Sequence, residues 1–534
     1  MTLASNSSTP APTRREPLPG RTLALLLLFL AGAVASGLAL WRLRTPLEFE
    51  TFRVESEGGP VPVDRVRLQG RQAYAVHFLL LHGYGANRRH LRPLAEVLAM
   101  AGADVYIPDL PGRGDHAGRA TPRPPGGFHA AMETTRETRA ALDVARYLQR
   151  AYGVRRDRLV VVGHSMGGGA ALDVAKAILP AATVSLAGLE REVRPGWPPN
   201  LFLITARLEI PQLREAADRM YERARAGGAE RREFLATHSS LPFSSAVQRA
   251  IVEWANRAVP GARLEIPPWF NERLLALALA GVFFLAGLFV PLAGLAAWAL
   301  SPEPFGEVVP ETRFSSWSLL PLFGYGLGVG LGVVVLIHWL GLAGWSHPLS
   351  FLHLNGSYLP SVLLLSTLGL LPVLWRQPWV RDWRQTAAKL AVTLPLAAYV
   401  VVVGGAFVTW QFFDLWPTWT RLGKMLVLVP VLLPYALGEE LLLRTFAKRA
   451  RGGAALSALL VWRLALLGSI VLGVVVLGSG QQMLVVLAIP LLLLSLLEYF
   501  FSESLYRALA SAYASALLKA ILLAWFFAAF FPLQ

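Results

Sequence analysis

Two textures of hydrophobic and polar positions divide the chain. From Thr45 to about Pro267, short apolar runs alternate with amphipathic segments, and charges are frequent. The runs AVHFLLLHG, ADVYIPD, RLVVVGHS, ATVSLAG and NLFLITA read as buried strands, and HLRPLAEVLAMA and MYERARA between them read as helices. Continuous apolar strands joined by helical crossovers predict a mostly parallel sheet covered on both faces. Beyond Arg273 the apolar stretches are long enough to cross a bilayer, near 273–300, 317–341, 357–375, 389–410, 425–443, 455–478, 483–500 and 508–530. Another apolar, uncharged stretch, Thr22–Leu40, is flanked by Arg14, Arg15 and Arg21 before it and by Arg42 and Arg44 after it. It predicts an uncleaved anchor; the rival reading is a signal peptide cut near Ala33-Val34-Ala35.

The expected organisation is a disordered tail over 1–21, a transmembrane anchor over 22–41, a soluble α/β domain over 45–267, and an all-α membrane domain of about eight helices over 271–534. Composition agrees, since 54% of the 534 residues are hydrophobic. The formal net charge of +15 fits basic loops in a polytopic membrane protein. No Lys/Arg run carries interleaved aromatics, so nucleic-acid binding is not expected. With no cysteine, the chain has no disulfide, thiolate metal site or thiol nucleophile.

The basic loops also predict sidedness. Arg376, Arg381, Arg384 and Lys389 mark one loop as cytoplasmic, and Arg444, Lys448, Arg449 and Arg451 mark the loop two spans later. Counting back puts the 45–267 domain outside, in an integral protein expected in a bacterial cell membrane. Arg421 and Lys424 then fall on the outer side and Glu303, Glu307 and Glu311 on the inner, the two loops that fit least well.

The candidate chemistry lies at LVVVGHSMGGG, where a strand meets a helix at Gly163-His164-Ser165-Met166-Gly167. G-x-S-x-G in this setting is a nucleophile elbow, with glycines that clear the backbone around a strained serine. A serine hydroxyl needs a base, and the base needs an orienting acid. His238, in ATHSSLPF, is the last histidine of the domain and follows the last expected strand. The preferred acid is Glu209, in the loop after NLFLITA; Asp218, inside an apparent helix, is the alternative. Backbone N–H groups of Met166 and of Tyr84, after His82-Gly83, are the expected oxyanion donors. His82 and His164 read as structural, and Asp109 as a loop anchor.

These stretches, HGYGANRRHLRPL, IPDLPGRGDH, VVGHSMGGGAALDVA and THSSLPFSSAVQRAIVEWA, resemble the α/β-hydrolase superfamily, and most closely its lysophospholipase, esterase and serine-aminopeptidase branches. The resemblance spans about 48–257. It implies a roughly eight-stranded sheet, Ser-acid-His chemistry without a metal or other cofactor, and an ester or amide substrate, with lipid or cell-surface esters favoured by location. Glu stands where Asp is commoner in the family, and the short link LEREVRPGWPP leaves no room for a large cap. The alternatives are a serine peptidase or amidase of the same fold, or a transporter-like membrane protein with a hydrolase accessory domain. Substrate identity and oligomeric state are not read from the sequence.

Within the spans, Glu439, Glu440, Arg463, Glu498 and Lys519 are the charged residues to notice. GEELLLR resembles the glutamate motif of intramembrane CAAX-type proteases. That family also needs downstream histidines, and none follows His353, so intramembrane proteolysis is not expected. Glu439 and Glu440 are expected at the cytoplasmic interface, with Lys519 snorkelling or pairing with Glu498.

Overall fold

The computed structural model describes residues 46–70, 75–121, 134–268, 319–342, 358–375, 383–411, 415–447, 453–477 and 483–530, with scattered positions in 23–38 and 289–294. Most of the predicted anchor and of the 273–300 span therefore lies outside the described residues.

Eight strands form one sheet in the order β1-β2-β4-β3-β5-β6-β7-β8. Strands β3 (His77–Leu81), β4 (Asp104–Pro108), β5 (Leu159–His164), β6 (Ala182–Leu186), β7 (Leu201–Leu208) and β8 (Glu230–Thr237) pair in parallel. The apolar runs of β3, β4, β5 and β6 are buried along almost their whole length, as strands covered on both faces must be. Helices α1 (Arg92–Met100), α2 (Thr135–Ala151), α3 (Met166–Ile178), α4 (Pro211–Ala224) and α5 (Ser245–Ala258) supply the crossovers and cover the sheet.

Strands β1 (Leu47–Val54) and β2 (Val61–Leu68) were not among the apolar runs singled out above. They pair antiparallel with each other, and β2 pairs antiparallel with β4. Their signal is alternation: in LEFETFRV only the two ends are buried, because an edge strand has one wet face. The stretch LEREVRPGWPP between β6 and β7, read above as too short for a large cap, contains no helix, only an isolated bridge between Arg194 and Trp197.

The C-terminal part is all helix, with its own hydrophobic core. It comprises α6 (Leu319–Leu342), α7 (Tyr358–Trp375), α8 (Trp383–Tyr399, continued by a π turn over Val400–Gly404), α9 (Gly405–Gln411), α10 (Trp419–Ala447), α11 (Gly453–Leu477), α12 (Met483–Leu509) and α13 (Ala512–Phe530). Five segments among the described residues are long and apolar enough to cross a membrane: Leu319–Leu340, Trp383–Gly404, Arg421–Arg444, Leu456–Gly473 and Ala512–Ala529; Pro360–Trp375 is shorter. Arg463 does not interrupt its helix, because its guanidinium is buried against carboxylates of neighbouring helices.

Candidate functional site

At the end of β5 the chain turns sharply into α3, and the turn residue is Ser165, with φ 58° and ψ −121°. A side-chain-bearing residue is held there only if its surroundings over-determine it. Ser165 N–H donates to Leu186 O at 2.8 Å, and its carbonyl accepts from Gly168 N at 2.9 Å and from Gly169 and Leu189 N at 3.3 Å. The flanking glycines are a steric necessity. A Cβ on Gly163 would lie 2.0 Å from Gly167 O, and one on Gly167 would lie 2.2 Å from Leu81 O. Met166 is the first residue of α3, with its N–H at the positive end of the helix.

His238 opens a turn just past β8. The turn is fixed by a capping box in which Thr237 N–H donates to Ser240 Oγ at 2.9 Å. Nδ1 of His238 meets both carboxylate oxygens of Glu209, at 2.9 and 3.0 Å. Glu209 lies in the loop after β7 and takes a further bond from Ile210 N–H at 3.0 Å, and both side chains are buried. An acid on Nδ1 fixes the imidazole with Nε2 as the free acceptor. Asp218, the alternative acid, is not part of this arrangement: it is exposed on α4 and pairs with Arg231 at 2.9 Å.

His164 has a larger part than filling the turn. Its Nε2 donates to the carbonyl oxygen of His238 at 2.9 Å, which ties the elbow to the His238 turn. The rings of His164 and His238 lie 4.9 Å apart, centroid to centroid, and His90 stacks on His164 at 5.9 Å. Burial drives three histidines here toward the neutral form: His82 is pushed down to about 3, His90 to about 4, and His164 well below the usual imidazole value. Among the described residues, Ser165 Oγ and His238 Nε2 make no hydrogen bond with each other or with any other group. Such contacts often tighten only when substrate occupies the site.

Tyr84 sits in the turn after β3, on the same side as the elbow. A Cβ on the preceding Gly83 would lie 3.1 Å from Ser165 Cβ, so the turn runs directly beside the serine. Three groups hold it. His82 accepts Leu110 N–H on Nε2 at 3.0 Å and donates Nδ1–H to Gly83 O at 2.9 Å. Arg113 donates Nε–H to Tyr84 O at 2.6 Å and Nη1–H to Glu137 at 3.0 Å. Arg88 binds Asp64 at 2.9 Å, Asp115 at 2.8 Å, and Asp109 through both backbone and guanidinium. Asp109 is fully buried and is the loop anchor expected for it. The sequence reading missed Arg88 and Arg113; their signal is two buried arginines in the two glycine-containing loops that follow strands.

The charged residues of the spans form a second buried cluster, and here two expectations are corrected. Glu439 and Glu440 are buried inside the bundle instead of facing the interface. Arg463 donates to Glu439 at 2.7 and 2.8 Å and to Glu498 at 3.0 Å, and Lys519 contacts Glu439 at 3.2 Å and Glu440 at 2.5 Å. Lys519 therefore does not take Glu498 as its hydrogen-bonded partner. Two carboxylates on one turn of α10 face α13 and attract its single cation, which leaves Glu498 to Arg463. Arg444 closes the cluster through Glu440 at 2.9 Å and Glu503 at 2.5 Å.

Residues 76–178 match the family described as the alpha/beta hydrolase fold. A search of curated proteins finds no significant match. Among solved structures, a serine hydrolase without a lid from Xanthomonas campestris is 16% identical, covering 40% of this chain and 97% of its own, with a TM-score of 0.32. An esterase from Pyrobaculum calidifontis is 17% identical, covering 44% and 94%, with a TM-score of 0.31. An esterase from Pyrococcus furiosus is 16% identical, covering 40% and 92%, with a TM-score of 0.32.

Proposed function

We propose, on the premise that the sheet-bearing part of the chain has the α/β-hydrolase fold, that the protein is a membrane-tethered serine hydrolase of carboxylic esters. One observation carries the reading: the Glu209 carboxylate grips His238 Nδ1 with both oxygens, beside a serine held at positive φ on a strand-to-helix corner.

In this mechanism His238 Nε2 takes the Ser165 proton as Oγ bonds to the ester carbonyl carbon. The oxyanion so formed is met by the N–H groups of Met166 and Tyr84. The imidazolium returns its proton to the departing alkoxide, the carbon–oxygen bond breaks, and an acyl-serine remains. Water, deprotonated by the same imidazole, attacks the acyl carbon and releases the acid with Ser165 restored. Glu209 stays ionised throughout and balances the imidazolium charge. Support for an extracytoplasmic hydrolase domain comes from the basic loops Arg376–Lys389 and Arg444–Arg451, which the positive-inside rule assigns to the cytoplasm.

The test is labelling of the purified full-length protein with a fluorophosphonate. Wild type should be labelled and should turn over a short-chain ester, and Ser165→Ala should do neither. Labelling that persists in Ser165→Ala would remove the assignment.

A further inference from the structure

The N–H and C=O of one trans peptide point in opposite directions, so whatever grips the carbonyl also aims the amide. The Tyr84 N–H belongs to the peptide whose carbonyl oxygen is Gly83 O. That oxygen accepts His82 Nδ1–H at 2.9 Å and Ala86 N–H at 3.3 Å. His82 donates from Nδ1 because its Nε2 accepts Leu110 N–H at 3.0 Å. The next peptide is held by its own oxygen, Tyr84 O, on which Arg113 places Nε–H at 2.6 Å. Both peptide planes that flank the Tyr84 Cα are therefore pinned, and with them the direction of its N–H.

Of these grips, the one on Tyr84 O is charged. Arg113 is 3% exposed, and its planar fork serves three acceptors: besides Tyr84 O, Nη1 reaches Pro111 O at 2.7 Å and Glu137 Oε1 at 3.0 Å. Its guanidinium carbon lies 4.7 Å from the centre of the Tyr84 ring. Gly112 and Gly114 have φ of 77° and 57°, so the chain turns on both sides of Arg113 and carries its side chain inward. Glu137, in the first turn of α2 and equally buried, balances the charge and also accepts Thr121 N–H at 3.2 Å.

Filling that space would not by itself call for an ion pair. Well-packed apolar side chains of similar volume often stabilise a fold as much as a buried pair or more. What the guanidinium adds is a directed, charge-assisted bond to one backbone oxygen. The turn so held runs directly beside the serine, where a Cβ on Gly83 would lie 3.1 Å from Ser165 Cβ.

We propose that Arg113 is a positioning residue for ester hydrolysis: through Tyr84 O it keeps the Tyr84 N–H aimed at the oxyanion formed at Ser165, and Glu137 holds the guanidinium in place. This rests on the serine-hydrolase reading and adds to it a side chain that acts through the Tyr84 peptide without touching the substrate. The oxyanion exists only beyond the ground state. Loss of Arg113 should therefore slow the chemical step and spare substrate binding, and it should weaken the grip on any ligand that imitates the oxyanion.

The experiment uses full-length protein in detergent micelles with p-nitrophenyl butyrate as substrate. An alkyl trifluoromethyl ketone, which adds to a serine as a tetrahedral oxyanion, serves as the analogue. Fluorophosphonate labelling taken to completion counts the active sites, so misfolding lowers the count and not the rate per site. Arg113→Met is combined with Glu137→Gln so that no charge is stranded, and Arg113→Lys keeps the charge pair without the fork. In the double variant kcat per site should fall by about tenfold to a thousandfold with KM within about twofold, and the ketone should bind more weakly by the same factor as kcat/KM falls. Arg113→Lys should move both quantities the same way by a smaller factor, which keeps the test open if the double variant does not fold. Wild-type kcat per site in the folded variants, a change in KM alone, or a fall in kcat with ketone affinity unchanged overturns the role of Arg113. Labelling that survives Ser165→Ala overturns the hydrolase reading instead.

Discussion

The Ser165 corner and the Glu439 cluster both bury polar side chains almost completely, but they treat them in opposite ways. In the bundle, charges meet opposite charges on other helices at 2.5–3.2 Å, and a single carboxylate oxygen, Glu498 Oε1, is left over. At the corner burial holds His82, His90 and His164 toward the neutral form, and polar atoms such as His164 Nδ1 have no hydrogen-bond partner among the described residues. A closed ion-pair set resists rearrangement and holds helices in register. Unpaired polar atoms beside a strained serine are what a reaction can use. Burial of polar groups alone therefore does not mark a site; the direction of their unused hydrogen-bonding capacity does.

The sharpest way to break the comparison is at the acid. Glu209→Gln should lower kcat by roughly a hundredfold to ten-thousandfold, since the amide no longer balances the imidazolium. Asp218→Asn should stay within about twofold, as exposed residues outside such networks do. Equal effects in ester turnover would return the choice of acid to open. In the bundle, Arg463→Met should cost about 3–5 kcal/mol by stranding Glu498 and leaving Glu439 to Lys519 and Tyr435 alone. The measure is resistance to unfolding in mixed micelles. Pairing Arg463→Met with Glu439→Gln and Glu498→Gln should recover much of the loss. A single variant as stable as wild type would mean the cluster is not what binds these helices.

The smallest effect per group is at acid pH. His82, His90 and His164 have native values pushed below the ordinary histidine range, to about 3 and about 4 for the first two, chiefly by burial. The unfolded chain therefore binds protons that the native domain refuses. The stability these rings confer is fully present above the unfolded value near 6.5 and is lost as pH falls toward the native values. Each contributes a slope of about 1.4 kcal/mol per pH unit in that window. Unfolding of the hydrolase domain, followed by loss of fluorophosphonate labelling, should steepen below about pH 6. A midpoint unchanged down to pH 4.5 would show that these rings are not held neutral.

How much was legible follows the range of the interactions. The strand-to-helix turn at Ser165 could be read because strand, glycines, serine and helix are contiguous, although only Gly163 meets its steric limit locally, at Gly167 O, and Gly167 meets its own at Leu81 O. His238 was singled out by chain order and Glu209 by its position past a strand end, and the structure brings the two side chains within 2.9 Å of each other. The edge pair β1 and β2 was passed over because its charged alternation resembles a polar linker until a partner strand is known. The bundle pairs were misread because Glu439, Arg463, Glu498 and Lys519 come from four helices, and no one-dimensional pattern reports which faces meet. Arg113 was missed for a similar reason: its partners, Tyr84 and Glu137, lie on separate loops and elements.

The two ends of the sheet domain have a mechanical consequence. At its start, Pro46 O receives Gln69 N–H at 2.8 Å, and at its finish, Glu265 N–H reaches Ala101 O at 3.2 Å while Asn256 clasps Leu264 with bonds of 2.8 and 2.9 Å. The second strap lies at the end of α1, the helix that covers β2 and β4. Both ends of the described domain are thus tied back into it, so fraying from either end must first break these bonds.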